Sequence, residues 1–551
     1  MKNPIKLTLA VAALALSACG GGGLATAQIQ NQTPVIPPPA VSTMPTFDTS
    51  AVAKNDPGSS LPAGWMNKGM LQIYVRGYFD SNGDGIGDIQ GIISKLDYIQ
   101  SLGVGGIWLM PINKSQDRDH GYAVADYRAV EADYGSLADV DELLKQAHAR
   151  GLGVIMDYVI NHTAAAHPAF ESSAAATSPY RDWYLWQSPK PTGWSIYGSD
   201  PWRNSGSQAY FAPFATSMPD FNLRNPAVVD WHLNNLRFWL NRGIDGFRFD
   251  AVGHLVENGP NAWDNQPENN ALLAQVQGLV SGYANRYIVC EGPGAPRMYA
   301  ASNSCGSAFA FQHNGRLVAA AKGDAMALAE VADYPKPAAG RAPESMATFL
   351  SNHDAFAGRR VADQLGGNLG RMKVAASMLL LQPGTPFIYY GEEIGLAGAA
   401  NLSGDWQLRT PMSWNASPDN AGFSIAAPFR ALSANAASNN VAAQTADPAS
   451  LLNHYKTLLA MRTARPSLLQ GSYEQASTSG SVLSFKRSAA NQFTRVAINT
   501  AATSTPVTLQ NFAPNQRIPV LHPSGREAMT ADAKGDLAVL LQAFETLVLG
   551  D

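Results

Sequence analysis

Short apolar runs alternate along most of this chain with stretches of helical periodicity, and this alternation limits the fold more than any other feature. The runs cover 71–74, 106–110, 153–158, 246–249, 287–290, 309–312, 347–350 and 387–390. Amphipathic stretches such as 137–149 and 226–240 lie between them. Strands that are apolar throughout are buried on both faces. When each is followed by a helix, they pair in parallel through right-handed crossovers. Eight such units predict an α/β chain folded as a closed (β/α)8 TIM barrel rather than an open sheet.

Two intervals break the pattern. Residues 161–222, after the third strand, carry Trp183, Trp186, Trp194 and Trp202. That is too long for a structureless loop in a compact domain and predicts a small inserted domain. From 466 onward the chain changes to short strand-like runs such as 481–485, 494–498 and 518–521. These predict a C-terminal antiparallel β-sandwich domain over 466–551. The barrel is then expected from 61–160 and 223–465.

The first residues read as a targeting signal. Lys2 and Lys6 precede an apolar run over 7–16, which is too short to span a bilayer as a mature helix. The run ends in Leu16-Ser17-Ala18-Cys19 followed by Gly20 to Gly23, which resembles a bacterial lipoprotein signal. On that reading 1–18 is the signal peptide, Cys19 is lipidated and 19–60 is a Pro- and Gly-rich tether. Gly20, where Asp is absent, points to the outer membrane, with the lipid as the only membrane contact. A net charge of −4, with charged residues at 15%, gives no reason to expect a nucleic-acid partner.

In such a barrel the residues at the C-terminal ends of the strands face the active site. The third strand ends in Asp157-Tyr158-Val159-Ile160-Asn161-His162 and the fourth in Arg248-Phe249-Asp250. The fifth ends in Cys290-Glu291-Gly292, and the seventh in Ser351-Asn352-His353-Asp354. Carboxylates converging on one cavity raise one another's pKa, so that one stays protonated near neutrality while another is ionised. Glycoside cleavage needs such a pair: one acid protonates the leaving oxygen and one carboxylate attacks the anomeric carbon.

In order and spacing these segments resemble the motifs of the α-amylase family, glycoside hydrolase family 13, from about 71 to 465. The segment Met218-Pro219-Asp220-Phe221-Asn222 is similar to a form found in enzymes intermediate between oligo-1,6-glucosidases and neopullulanases. The resemblance implies Asp250 as nucleophile, Glu291 as acid/base and Asp354 as a binder of sugar hydroxyls. It implies that Arg248 holds Asp250 ionised, that His162 and His353 hydrogen-bond the sugar, and that Tyr122 stacks on it. The implied activity is retaining, endo-acting hydrolysis of α-1,4 bonds in starch, glycogen or maltooligosaccharides by a monomer. A neopullulanase-like or transglycosylating enzyme, or a non-catalytic glycan-binding lipoprotein, are the alternatives.

Three positions depart from the family. Ala123 follows Tyr122 where exo-acting α-glucosidases are expected to carry an Asp, which argues for endo action. Glu291 is followed by Gly292-Pro293-Gly294 instead of a bulky aromatic residue, and Arg359 comes later after Asp354 than the family's arginine does.

A structural Ca²⁺ is expected in the loop 80–88. Asp80, Asn82, Asp84 and Asp88 place side-chain oxygens at every second or fourth position, and the carbonyl of Ile86 adds one more. The loop resembles both the start of an EF-hand and a calcium loop of α-amylase relatives. A second calcium site at Asn161 is left open. Cys290 and Cys305 are consistent with either a disulfide or two buried thiols.

Overall fold

The computed structural model describes residues 46–336 and 345–551. Eight parallel strands close into a barrel: β1 Met70–Ile73, β2 Gly106–Leu109, β3 Gly153–Tyr158, β4 Gly246–Phe249, β5 Tyr287–Cys290, β6 Ala308–Phe309, β7 Met346–Phe349 and β8 Thr385–Tyr389. Their order around the barrel is β1-β8-β7-β6-β5-β4-β3-β2, so the (β/α)8 expectation holds. The interior is filled by one set of alternate side chains, among them Met70, Trp108, Ile155, Val289, Phe309, Phe349 and Phe387. Trp65 closes the lower end. A Cβ at Gly106 or Gly153 would come within 2.5 Å of its ring, so those strand starts admit no side chain.

The two-residue period of a strand carries this inward-facing series to the site. Ile155 is followed by Asp157 on β3, and Val289 by Glu291 beyond β5. On β4 the same face bears Arg248 and then Asp250, while Phe247 and Phe249 face the helices in a separate core. The helix Pro226–Arg242 feeds β4. Asn225 caps it, Pro226 begins it, and Gly243 ends it at φ 104°.

β6 is shorter than the predicted run 309–312. Gln312 turns to φ 70°, which cannot continue a strand. The inserted segment holds a three-stranded sheet, Trp186–Gln187, Gln208–Phe211 and Trp202–Ser205 in that order, with a small core of Ile196, Trp202, Ala209 and Phe211. At the C-terminal end a helix, Pro466–Gln470, precedes the first strand, Glu474–Ser479. A five-stranded sheet then packs against the pair Thr505–Leu509 and Leu537–Leu541. Val482, Ala497 and Leu547 from one layer share a core with Leu509, Val539 and Leu541 from the other.

The tether expected over 19–60 needs correction. Its last part, from residue 46, packs on the body. Phe47 meets the rings of His167, Trp183 and Trp231. Asp48 pairs with Arg128 at 2.8 Å, and its carbonyl accepts the Trp231 Nε1–H at 3.0 Å. Apolar and charged anchors so close together override the Pro- and Gly-rich composition that suggested a free linker. Cys19 and the signal over 1–18 lie outside the described residues. Among the described residues no helix is long and apolar enough to cross a membrane. Cys290 and Cys305 form a disulfide, with Cα atoms 6.2 Å apart.

Candidate active site

Asp250, Glu291 and Asp354 line one cavity of about 740 Å³ at the C-terminal end of the barrel, together with Tyr122 and His162. Arg248 organises it from beneath. This guanidinium is 1% exposed. Nη1 donates to Asp250 Oδ1 at 2.7 Å and to Asp157 Oδ1 at 2.8 Å, while Nη2 lies 2.8 Å from Glu291 Oε2. Asp157 lies across from Arg248 in the β3–β4 register, so the strand pairing itself sets this contact. One cation thus faces three carboxylates, and it cannot neutralise them all.

The acids respond accordingly. Burial pushes Glu291 up to about 7, and the charge of Asp250 adds to this against the pull of Arg248. Burial also raises Asp250, but only to about 6, with Arg248 opposing. Asp354 is pushed up to about 7 by burial, against the attraction of Arg409. Both carboxyls are raised, Glu291 the further, which is the direction that suits an acid beside a nucleophile.

Tyr122 lies parallel to His353, ring centroids 5.5 Å apart. Its hydroxyl donates to Asp157 Oδ2 at 2.9 Å and meets His353 Nε2 at 2.6 Å. His353 is fully buried and does not line the cavity. Gln72 holds its other nitrogen at 2.7 Å, and Asp354 lies 3.1 Å from Nε2. The expected direct contact of His353 with sugar therefore becomes a supporting one: it fixes Tyr122 and Asp354, which do face the cavity. His162 does face it. Burial lowers its pKa to about 3, leaving a neutral ring, and Nε2 has no protein partner.

Sequence reasoning missed several participants. Asp157 was visible in its motif, but only the register shows that it shares Arg248. Arg409, and not Arg359, pairs with Asp354. Nη2 lies 3.1 Å from both Asp354 and Asp405, and Nε donates to the His353 carbonyl at 3.0 Å. Arg359 is 60% exposed and only 3.9 Å from Asp363. No local signal joins 409 to 354. The cavity's mouth is aromatic. Tyr197 donates to or accepts from His254 at 2.8 Å, His254 stacks on Trp263, and Phe214 meets His254 edge-on.

The argument drawn from Ala123 also changes. Ala123 is buried, its N–H bonds Asp117 at 3.0 Å, and it does not line the cavity, which is lined instead by His120. Gly292 has a direct cause: a Cβ at this position would lie 2.1 Å from the Tyr299 ring, so a bulky neighbour to Glu291 is excluded.

None of the five expected calcium ligands lines the cavity. Asp80 and Asp88 are each 5% exposed. Asp80 Oδ1 accepts from Asn82 and Gly83, Asp88 accepts from Ser81 and Gly91, and Asp84 from Ile86. Among the described residues no Lys, Arg or His pairs with these three carboxylates, and no three His, Cys, Asp or Glu side chains gather as a metal cluster. Gly83 and Gly85 sit at φ 85° and 88°, the tight turn that an oxygen-lined loop needs. Asp80 also accepts from Gly85 and Ser424, and Asn82 and Asp84 are exposed, so it is the all-oxygen make-up of the loop, not a gathered ligand set, that suits a hard cation.

Residues 72–471 match the α-amylase catalytic domain. The chain belongs to the α-amylase family. It is a glycoside hydrolase of that family by its likeness to characterised members. A probable α-glucosidase of Rhizobium meliloti is 35% identical over 483 residues, covering 78% of this chain and 88% of that protein. α-Amylase 3 of Dictyoglomus thermophilum is 33% identical, covering 77% and 82%. The crystal structure of an α-glucosyl transfer enzyme superposes with a TM-score of 0.76 at 30% identity, covering 89% of this chain and 99% of that one. Within the family these relatives differ in bond and acceptor, so membership gives the chemistry of the glucosidic bond and leaves substrate length to the site.

Proposed function

We propose that the protein is a retaining, endo-acting hydrolase of α-1,4 bonds in starch, glycogen or maltooligosaccharides. One observation carries this reading: Asp250 and Glu291 meet on one cavity and share one arginine. Asp250 attacks the anomeric carbon as Glu291 protonates the leaving oxygen, giving a covalent glycosyl ester. Glu291, now ionised, takes a proton from water, which opens the ester and restores Asp250. Asp354 and His162 bind the distorted ring, and the face of Tyr122 supports its apolar side. Endo action is supported by the cavity's size, more than one sugar ring requires, and by the glycine-rich turn over 292–294.

The experiment is product analysis on maltoheptaose and pullulan, beside starch clearance by Asp250→Asn. Internal oligosaccharide products from maltoheptaose support endo cutting. Glucose as the sole early product removes it, and equal clearance by the variant removes Asp250 as nucleophile. A second reading, sugar transfer, is supported by the aromatic mouth of Tyr197, Phe214 and Trp263, which disfavours water beside the intermediate. Products longer than the substrate would identify it.

We also infer that the loop 80–88 binds a structural Ca²⁺ through Asp80, Asn82, Asp84, Asp88 and the Ile86 carbonyl. The ion would offset the buried carboxylates and brace the loop after β1. We infer as well that Cys19 carries a lipid anchoring the protein to an outer membrane, on the strength of the sequence around it. Globomycin-sensitive processing and labelling by a fatty-acid probe test this, and a Cys19→Ser protein that still labels would exclude it.

A further inference from the structure

A recess of about 210 Å³ in the C-terminal domain shares no lining residue with the catalytic cavity. It lies where the inner face of the five-stranded sheet runs past that domain's core. Along the strand Val482–Ala489 this face carries Val482, Ser484 and Lys486. Along Gln492–Asn499 it carries Ala497, Arg495 and Phe493. Val482 and Ala497 belong to the core, and Phe493 packs against it. The apolar series is interrupted by two cations, and Lys486 stands directly opposite Arg495 in the register. Like charges so placed repel each other and destabilise a sheet.

Arg495 is 5% exposed, yet it pairs with no carboxylate among the described residues. Its Nη1 donates to Gln475 Oε1 at 2.8 Å, its Nη2 reaches Ser484 Oγ only at 3.5 Å, and its Nε has no partner. Burial pulls its pKa down to about 10, with no neighbouring charge to oppose this. An arginine is seldom buried to this degree without a counter-charge. Lys486 is loosely engaged: its Nζ lies 3.8 Å from Glu474 Oε2, a partly exposed carboxylate. The facing wall, from the loop after Thr505–Leu509, adds amides. The side chains of Gln510 and Asn511 make no hydrogen bond to protein among the described residues. Gln516 accepts from the Ala513 N–H at 3.0 Å, which leaves its Nε2 group to donate. None of the residues lining the recess is acidic.

We propose that this recess is an anion site that takes one phosphoryl group, held by Arg495 and Lys486 and ringed by the amides of Gln510, Asn511 and Gln516. Such a group relieves the repulsion between the two cations and supplies the counter-charge that the domain withholds from Arg495. Guanidinium and phosphate also match in shape, through paired N–H donors. The volume is below the roughly 300–1,000 Å³ of pockets that enclose larger ligands, which suits a single charged group and excludes a glucan chain. The group is either free phosphate or the phosphate of a phosphorylated sugar.

The test is equilibrium dialysis of the full chain against radiolabelled inorganic phosphate, at an ionic strength fixed with chloride. One phosphate per chain is expected. Arg495→Met should weaken binding by roughly tenfold or more, the worth of a hydrogen bond to a charged group, and Lys486→Gln should weaken it less. Both variants should keep the wild-type kcat/KM on maltoheptaose. Competition with glucose 6-phosphate identifies the source. Displacement at a lower concentration than unlabelled phosphate assigns the site to a phosphorylated sugar, and displacement at an equal or higher one assigns it to free phosphate. Melting curves give a second readout. Phosphate should raise the wild-type Tm by mass action and leave that of Arg495→Met unmoved. In phosphate-free buffer Arg495→Met, which exchanges an unpaired buried charge for an apolar chain, should melt no lower than the wild type. No binding above the chloride background, or binding that both variants retain in full, overturns the proposal. An Arg495→Met protein that melts lower and still binds phosphate also overturns it, since the arginine is then structural. Should Arg495→Met fail to fold, Lys486→Gln, at a partly exposed position, carries the same comparison.

Discussion

Glu291 Oε2 accepts the backbone N–H of Ala251, the residue after the nucleophile, at 3.1 Å. Ala251 takes φ 48°, unusual for a residue with a side chain, in the turn just beyond β4. The acid is thereby fixed to the nucleophile's own backbone as well as to Arg248. Relative placement of the two groups depends on the ends of two adjacent strands and on little else.

Removing either carboxyl should abolish the chemistry without loosening the fold. For Asp250→Asn and Glu291→Gln, kcat on maltoheptaose should fall by about 10²–10⁴-fold or more. Glu291→Gln should lose less on an aryl glucoside, whose leaving group needs little protonation. Steady-state kinetics with circular dichroism checks both parts.

The pH profile should be bell-shaped and narrow. Activity needs Asp250 ionised, with its carboxyl pushed up to about 6, and Glu291 protonated, with its own pushed up to about 7. kcat/KM should therefore rise through the lower value and fall through the upper, the two limbs belonging to the pair together. Glu291→Gln should erase the alkaline limb measured on an aryl glucoside. A limb that survives would assign it to another group, with Asp354 the next candidate.

Arg409 and Arg359 should part company. Arg409→Ala leaves Asp354, whose side chain is 17% exposed, without its cation, a loss that stays below the roughly 3–5 kcal/mol of a fully buried pair. kcat/KM should drop sharply and the melting temperature with it. Arg359→Ala, at an exposed position, should stay within about 0.5 kcal/mol. Urea unfolding and kinetics on the two variants compare them directly.

Chelation should lower the melting temperature, with surviving enzyme turning over at its normal rate, because the loop 80–88 stands apart from the cavity. Asp80→Asn/Asp88→Asn should melt lower than the wild type in Ca²⁺ and lose the response to chelator. A wild type that ignores both chelator and added Ca²⁺ after unfolding and refolding in metal-free buffer would rule out the ion.

The bond between Cys290 and Cys305, 15 residues apart, closes a loop directly beside Glu291. Chain-entropy reasoning puts such a loop at about 3 kcal/mol. Cys290→Ser/Cys305→Ser should be less stable by that order in denaturant titration. Both sulfurs are buried, so mild reductant should act on the native wild type only slowly.

The residues show why some features could be read from the sequence and others could not. β3, β4 and β5 begin and end where the apolar runs do, since burial on both faces leaves a local signature. β6 did not: the chain turns back directly after Phe309, where the N–H of Phe311 bonds the Phe309 carbonyl, with no turn-forming residue to announce it. The three acids were legible from their positions after strands. Their shared cation was only partly so: Arg248 and Asp250 are two residues apart, but Asp157 reaches Arg248 through strand pairing, and Arg409 reaches Asp354 from far along the chain. Ala123 lies buried outside the cavity lining, a placement that no composition or spacing reveals.

Phe47 wedges between His167 of the insertion and Trp231 of the barrel helix, so the first described stretch clips the insertion to the barrel. Shortening the protein for expression is therefore not neutral. A start at residue 61 discards the clip, and one at or before residue 46 keeps it.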